Sequence, residues 1–184
     1  MLKRFLPFGI ALCLACVSAF APSPARADGG SNEYLVKAAF IYNFIKYVEW
    51  PGDKAVSAQS NIDVCVVGQS GLNDAGSVFT AASTPRLKLT LTEEKSLHAI
   101  PRHCHILFVA RSEEDRLDKI LAALKGKPVL TVSDIGRFAE RGGMIGFMTE
   151  DNKIKLVINT RPATVAGMRI DAQLLEIALK VIER

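Results

Sequence analysis

Apolar positions along this chain fall into long helical runs and short β-branched ones. Tyr34 to Pro51 reads YLVKAAFIYNFIKYVEWP and has helical length. It opens after polar Ser31-Asn32-Glu33 and must stop at Pro51, because the residue before a proline is disfavoured in the helical region. Leu35, Ala38, Ala39, Ile41, Tyr42, Ile45 and Val48 form one broad apolar surface, and Phe40, Phe44 and Tyr47 carry it around the cylinder. A helix so nearly apolar all round is buried in a domain or covered by a partner. Lys37, Asn43, Lys46 and Glu49 interrupt it and make it a poor membrane span.

The rest of the chain alternates. IDVCVV at 62–67 reads as a buried strand, Gly68-Gln69-Ser70-Gly71 as a turn, and 72–82 as a helix. Leu87, Leu89 and Leu91 alternate with Lys88 and Thr90, an edge strand with one wet face. HILFV at 105–109 is a second apolar strand. Ser112, followed by Glu113, Glu114 and Asp115, predicts a serine-capped helix that Gly126 stops. VLTV at 129–132 is a third strand. Residues 144–148 and 154–158 flank Glu150-Asp151-Asn152 and predict a hairpin. Thr160 to Gly167 holds one helical turn, and Asp171 caps a last helix carrying Leu174, Leu175, Ile177, Ala178, Val181 and Ile182. The alternation predicts an α/β fold: a single three-layer domain, with a mostly parallel sheet, helices on both faces and a C-terminal antiparallel hairpin at the edge.

The first 27 residues have the pattern of an export signal. Lys3 and Arg4 precede the apolar run Phe5–Phe20, and Ala25-Arg26-Ala27 predicts cleavage before Asp28. A lipid anchor at Cys16 is the rival reading, but the usual leucine three residues earlier is missing. The net charge of +4 largely belongs to this segment: of 23 basic residues, Lys3, Arg4 and Arg26 leave with it, so 20 then face 19 acids. No basic run remains to suggest nucleic acid. Residues 28–184 are long enough for one domain with a full core. Cys13 and Cys16 also leave, and Cys65 and Cys104 remain as an isolated pair. In an oxidising compartment such a pair is most simply a disulfide. His103 and His105 flank Cys104, but on a continuous strand alternation sets both on the face opposite the cysteine, which argues against a metal site.

Little else points to chemistry. Parallel sheets bind ligands beyond the carboxyl ends of their strands, so Gly68, Ser70, Ser133 and Asp134 are candidate ligand-loop residues. The glycine run is only G-x-x-G, short of a dinucleotide fingerprint. No G-x-S-x-G elbow, metal motif or glycosidase-like carboxylate pair is evident, and the residues give no argument for an enzyme or a cofactor. Two apolar sets are candidate partner-binding surfaces: Tyr42, Tyr47 and Trp50 on the first helix, and Val165 and Met168 beside Phe147.

The chain resembles the YfiR family, the YfiR/HmsC-like proteins. The resemblance rests on YLVKAAFIYNFIKYVEWP at 34–51, IDVCVVG at 62–68, CHILFVA at 104–110, VLTVSD at 129–134, GFMTEDNKIKLVIN at 146–159 and AGMRIDAQLLEIA at 166–178. It implies a periplasmic α/β protein without catalysis that represses an inner-membrane diguanylate cyclase by binding its periplasmic region, lowering cyclic di-GMP and restraining biofilm formation. An OmpA-type outer-membrane lipoprotein is implied as the sequestering partner, and an exposed apolar helix would favour a homodimer. Cys65 and Cys104 match a family disulfide position. Some relatives carry a second cysteine pair in the later hairpin region, which this sequence lacks. A periplasmic small-ligand-binding module without a cyclase partner is the alternative.

Overall fold

The structure is a computed structural model, and it describes residues 29–52 and 60–183. The expected export signal and most of the polar loop after Gly52, including Asp53 and Lys54, lie outside the described residues. Strands β2 (Ser60–Val67), β3 (Leu87–Glu93), β4 (Ile106–Val109), β5 (Leu130–Ser133), β6 (Ile145–Glu150), β7 (Lys153–Asn159) and β9 (Lys180–Ile182) form a seven-stranded sheet in the order β3-β2-β4-β5-β6-β7-β9. The pairs from β3 to β6 are all parallel, β6 and β7 are antiparallel, and β7 and β9 are parallel. Two short strands, β1 (Val48–Glu49) and β8 (Arg169–Ile170), pair separately and antiparallel. This is the expected α/β architecture, and the alternation along each strand explains its layers. Ile62, Val64, Val66, Ile106, Phe108, Leu130 and Val132 face one core; Cys65, Val67, Leu107 and Val109 face the other.

Helix α1 (Gly29–Tyr47) covers the first face. Ala38, Ile41, Phe44, Ile45 and, just beyond the helix, Val48 are buried there, and Phe44 stacks on Phe147 with ring centroids 6.1 Å apart. Leu35 and Val36 remain exposed on its outer flank. The helix starts earlier than the sequence pattern suggests, at Gly29, and ends at Tyr47, because Val48 and Glu49 turn to pair with Ile170 and Arg169. Trp50 Nε1–H then donates to the His105 carbonyl at 3.2 Å, tying this exit to the sheet. Helices α2 (Gly76–Ala82), α5 (Thr160–Val165) and α6 (Ala172–Glu176) contribute Phe79, Ala163 and Leu174 to the same core. The opposite face is covered by α3 (Ile100–His103) and α4 (Leu117–Leu124), with Leu117, Ile120, Leu124 and Phe138 packed on it. Among the described residues, no helix is long and apolar enough to cross a membrane.

Several local signals act as expected. Asp151 and Asn152 both take positive φ (49° and 56°), giving a two-residue turn whose twist matches the flanking strands. Gly126 ends its helix at φ 71°, and the Asp171 carboxylate accepts from the Gln173 N–H. Three expectations change. Residues 111–116 form a 3-10 turn rather than a serine-capped α-helix, because the Ser112 hydroxyl accepts from the Gln69 N–H at 2.8 Å across the sheet. The last helix is short: residues 180–182 form β9 on the outer edge of β7, so the hairpin is not the edge. The apolar spacing of Leu174 to Ile182 suits either period, and the open edge of β7 decides it, with Leu179 N–H bonding the Leu156 carbonyl. Finally, His103 lies in the helical turn α3 and not on a strand. Strand alternation therefore does not separate it from Cys104, and it sits beside both cysteine sulfurs.

Cys65 and Cys104 are bonded, with Cα atoms 5.9 Å apart, and both are fully buried. The bridge fastens the α3 turn to β2 and closes a loop of sequence separation 39, worth about 4 kcal/mol by chain entropy. Replacing both cysteines by serine is expected to lower the thermal midpoint by roughly ten degrees for a domain of this size, as read by calorimetry.

Candidate functional site

The chain places β3 on one side of β2 and then crosses back to place β4 on the other. The segments after β2 and β4 therefore diverge at their carboxyl ends, the geometry that opens a ligand crevice in α/β sheets. Gly68 and Ser70 follow β2, while Ser133 ends β5 and Asp134 follows it, so all four candidate ligand-loop residues lie along this rim.

The protein itself packs closely against both glycines of the rim, and a shallow cavity of about 340 Å³ stays open beside Gly68, lined by Glu93, Glu94, Lys95, Ser112, Glu113 and Arg116. A Cβ on Gly68, whose φ is 89°, would stand 2.5 Å from Ser112 Oγ and 2.6 Å from Glu113 Cγ. A Cβ on Gly71 would stand 2.5 Å from the ring of Tyr34. Both glycines are there for close approach, one to the turn after β4 and the other to α1. Ser133 Oγ donates to the Val109 carbonyl at 2.6 Å and accepts from Ile135 N–H at 2.9 Å, so its hydroxyl is committed to joining strands. Ser70 Oγ accepts from Leu72 N–H, forming its own turn.

Over this rim lies a buried charge cluster delivered by α1. Lys37 Nζ is 2.6 Å from Asp134 Oδ2 and 2.6 Å from Glu33 Oε1, and the Lys37 and Asp134 side chains are each 1% exposed. Tyr34 O–H donates to the same Asp134 oxygen at 3.1 Å, and Lys37 Nζ sits 4.3 Å from the Tyr34 ring centroid. Arg111 Nε donates to the Asp134 carbonyl at 3.1 Å and lies 3.5 Å from Oδ2. Two cations thus meet two carboxylates, and the cluster is formally neutral. Asp134 Oδ1 is buried and has no partner among the described residues. Burial, and then the Asp134 charge, push the Tyr34 phenol above its ordinary value. The hydrogen bond from Lys37 holds Glu33 below its ordinary value. An ammonium pinned between two carboxylates is a fastener and offers no nucleophile. Sequence reasoning found Asp134 but missed Glu33, Tyr34, Lys37 and Arg111. The available signal was a lysine in an almost wholly apolar helix, with Glu33 four residues before it.

The six candidate partner-binding residues divide. Trp50 and Phe147 are 5% exposed and Met168 is 4% exposed, so these three serve the core. Tyr42 and Tyr47 are half-buried, with Lys46 Nζ 4.7 Å over the Tyr42 ring, and Val165 is 58% exposed. The accessible part of both sets is therefore Tyr42, Tyr47 and Val165.

Removing one partner of a buried ion pair strands the other charge. Lys37→Met is expected to cost about 3–5 kcal/mol in urea unfolding, and Lys37→Met/Asp134→Leu to recover most of that loss. Tyr34 gives a test at the alkaline end. Because its folded pKa is raised, stability is unaffected below the ordinary value of 10.0 and is lost as pH rises from there through the folded value. Tyr34→Phe should flatten that alkaline decline.

Two solved structures share the fold. One is the ABC domain in complex with L-Trp from Streptococcus pneumoniae, 12% identical, with a TM-score of 0.54 over 81% of this chain and 60% of that one. The other is a conserved domain protein from Vibrio cholerae O1 biovar El Tor strain N16961, also 12% identical, with a TM-score of 0.51 over 80% of this chain and 60% of that one. The chain thus spans about 60% of the length of these structures, and at such identity they speak for the fold alone. Residues 34–179 match the YfiR/HmsC-like family, from the charge cluster on α1 to Leu179 just before β9. The chain belongs to the YfiR/HmsC-like family, whose members are periplasmic regulators of diguanylate cyclases and not catalysts.

Proposed function

We propose that this protein is an exported, non-catalytic repressor that binds the periplasmic region of an inner-membrane diguanylate cyclase and lowers cyclic di-GMP synthesis, and with it biofilm formation. The family match over residues 34–179 carries this reading. The close packing of Tyr34 on Gly71 and the commitment of the Ser70 and Ser133 hydroxyls and the Asp134 carboxylate to internal partners support it. That geometry disfavours the small-ligand alternative at Gly68, Ser70, Ser133 and Asp134. A repressor requires instead a surface with higher affinity for one state of its receptor. Tyr42, Tyr47 and Val165 are the accessible members of the candidate set and the residues to which we assign the contact. An OmpA-type lipoprotein that sequesters the protein would compete for it, and a homodimer would present the contact twice.

Deleting the gene in its host is expected to raise cyclic di-GMP while the cognate cyclase is expressed; unchanged levels would overturn the proposal. In calorimetry with the cyclase's periplasmic fragment, Val165→Glu is expected to weaken binding by roughly tenfold or more, as burying an unpaired charge at an interface does. The thermal midpoint should remain unchanged, because Val165 is exposed.

A further inference from the structure

Cys65, Cys104 and His103 bring one ligand atom each to within 4.8 Å of one another on the α3/α4 side of the sheet. Their placement follows from the local fold. Cys65 sits in β2, Cys104 closes the α3 turn with its N–H on the Ile100 carbonyl at 3.0 Å, and His103 is the last residue of that turn. Both cysteines are fully buried, whereas the His103 side chain is 41% exposed. His103 Nε2 lies 3.3 Å from Glu94 Oε2. A carboxylate in that position accepts the ring N–H and leaves the other nitrogen as a lone-pair donor, the arrangement that orients histidine ligands on zinc.

We propose that opening the Cys65–Cys104 bridge converts this cluster into a binding site for a thiophilic divalent cation of the zinc class, with Cys65, Cys104 and His103 as protein ligands and Glu94 as the residue that positions the imidazole. The site and the disulfide are mutually exclusive. A dithiol reductant supplies two electrons and two protons, giving two cysteine thiols and the reductant's own disulfide. Metal binding then displaces the two thiol protons. Tetrahedral zinc, with bonds of about 2.3 Å to sulfur and about 2.0 Å to nitrogen, sets its ligand atoms roughly 3.5–3.8 Å apart, so the sulfurs need part by less than about 2 Å. Two thiolates, a neutral imidazole and a dication sum to zero charge, which suits a site walled by Leu107, Ile100 and Val67. Three protein ligands leave a fourth position for water or another ligand. Hard cations such as calcium and magnesium would find too few oxygens here.

The test uses the full chain, reduced and freed of reductant under anaerobic conditions, titrated with Co2+ and then with Zn2+. The expected result is a thiolate-to-cobalt charge-transfer absorption that saturates at one equivalent and is displaced by Zn2+, with none from the oxidised chain. Cys65→Ser should abolish the band. His103→Ala and Glu94→Gln should each weaken binding about 10- to 100-fold. Neither side chain belongs to the apolar core, and Gln retains the oxygen that accepts from the Ser96 N–H at 2.8 Å, so the oxidised variants should stay folded. Zn2+ should also slow the reaction of the two thiols with an aromatic disulfide reagent, and a chelator should restore it. No charge-transfer band, or undiminished affinity in His103→Ala, would overturn the proposal. A reduced chain that neither stays folded nor gains structure with Zn2+ would overturn it equally.

Discussion

The buried pairing of Lys37 with Asp134 is the constraint on which the rest of this molecule depends. Removing two charges from water costs several kcal/mol each, and their attraction repays that only with good geometry and further hydrogen bonds. Here Asp134 Oδ2 takes Lys37 at 2.6 Å and the Tyr34 hydroxyl at 3.1 Å, while Glu33 closes on Lys37 from the other side. The pair joins residues 97 apart in sequence, one on α1 and one just beyond β5. A purely apolar helix can slide or rotate on a flat apolar sheet at little cost. A lysine that must reach one carboxylate cannot, so the pair fixes the register and rotation of α1.

That fixed register has consequences down the helix. With Lys37 over the end of β5, Ala38, Ile41, Phe44 and Ile45 fall on the sheet, and Phe44 meets Phe147 in a stacked contact. At the far end the chain leaves α1 into β1, whose partner β8 returns Ile170 to the same core, and Trp50 bonds the His105 carbonyl. On the opposite face the Cys65–Cys104 bridge pins α3 to β2, so the two faces of the sheet are held by unlike devices. One depends on charge and the other on redox state. A reductant therefore acts on one layer and leaves the device that holds the other untouched.

The layers were legible in the sequence because alternation and strand length are local properties. IDVCVV, HILFV and VLTV are short, apolar and bounded by glycine, proline or charge, and their parallel pairing follows from the helices between them. The hairpin turn was equally plain, since Asp151 and Asn152 tolerate the positive φ it requires. What escaped was decided by contacts across long separations. Ser112 has the form of a helix cap but spends its hydroxyl on Gln69, and residues 180–182 satisfy two periods until the edge of β7 selects one. His103 was misplaced because one helical turn was read as strand, which reversed the face on which it sits. Lys37 was visible only as an interruption in an apolar helix; its partner lies too far along the chain for any spacing argument to find.

The charge cluster also bears on the proposed role of this α/β sheet as a binding partner rather than a small-molecule receptor. The reversal of strand order between β3 and β4 creates a crevice regardless of sequence, and an unfilled crevice lined by Ser70, Ser133 and Asp134 would be polar, wet and open to small solutes. Here α1 brings Tyr34 against Gly71 and Lys37 against Asp134, and Ser112 with Glu113 closes on Gly68. The polar groups at the end of β5 are used to anchor a helix. The outer flank of α1, with Leu35 and Val36, and Val165 on α5 remain exposed. On the proposed reading, a surface carried by an anchored helix loses less entropy on docking than a mobile one, so modest apolar contact at Tyr42 and Tyr47 goes further toward affinity.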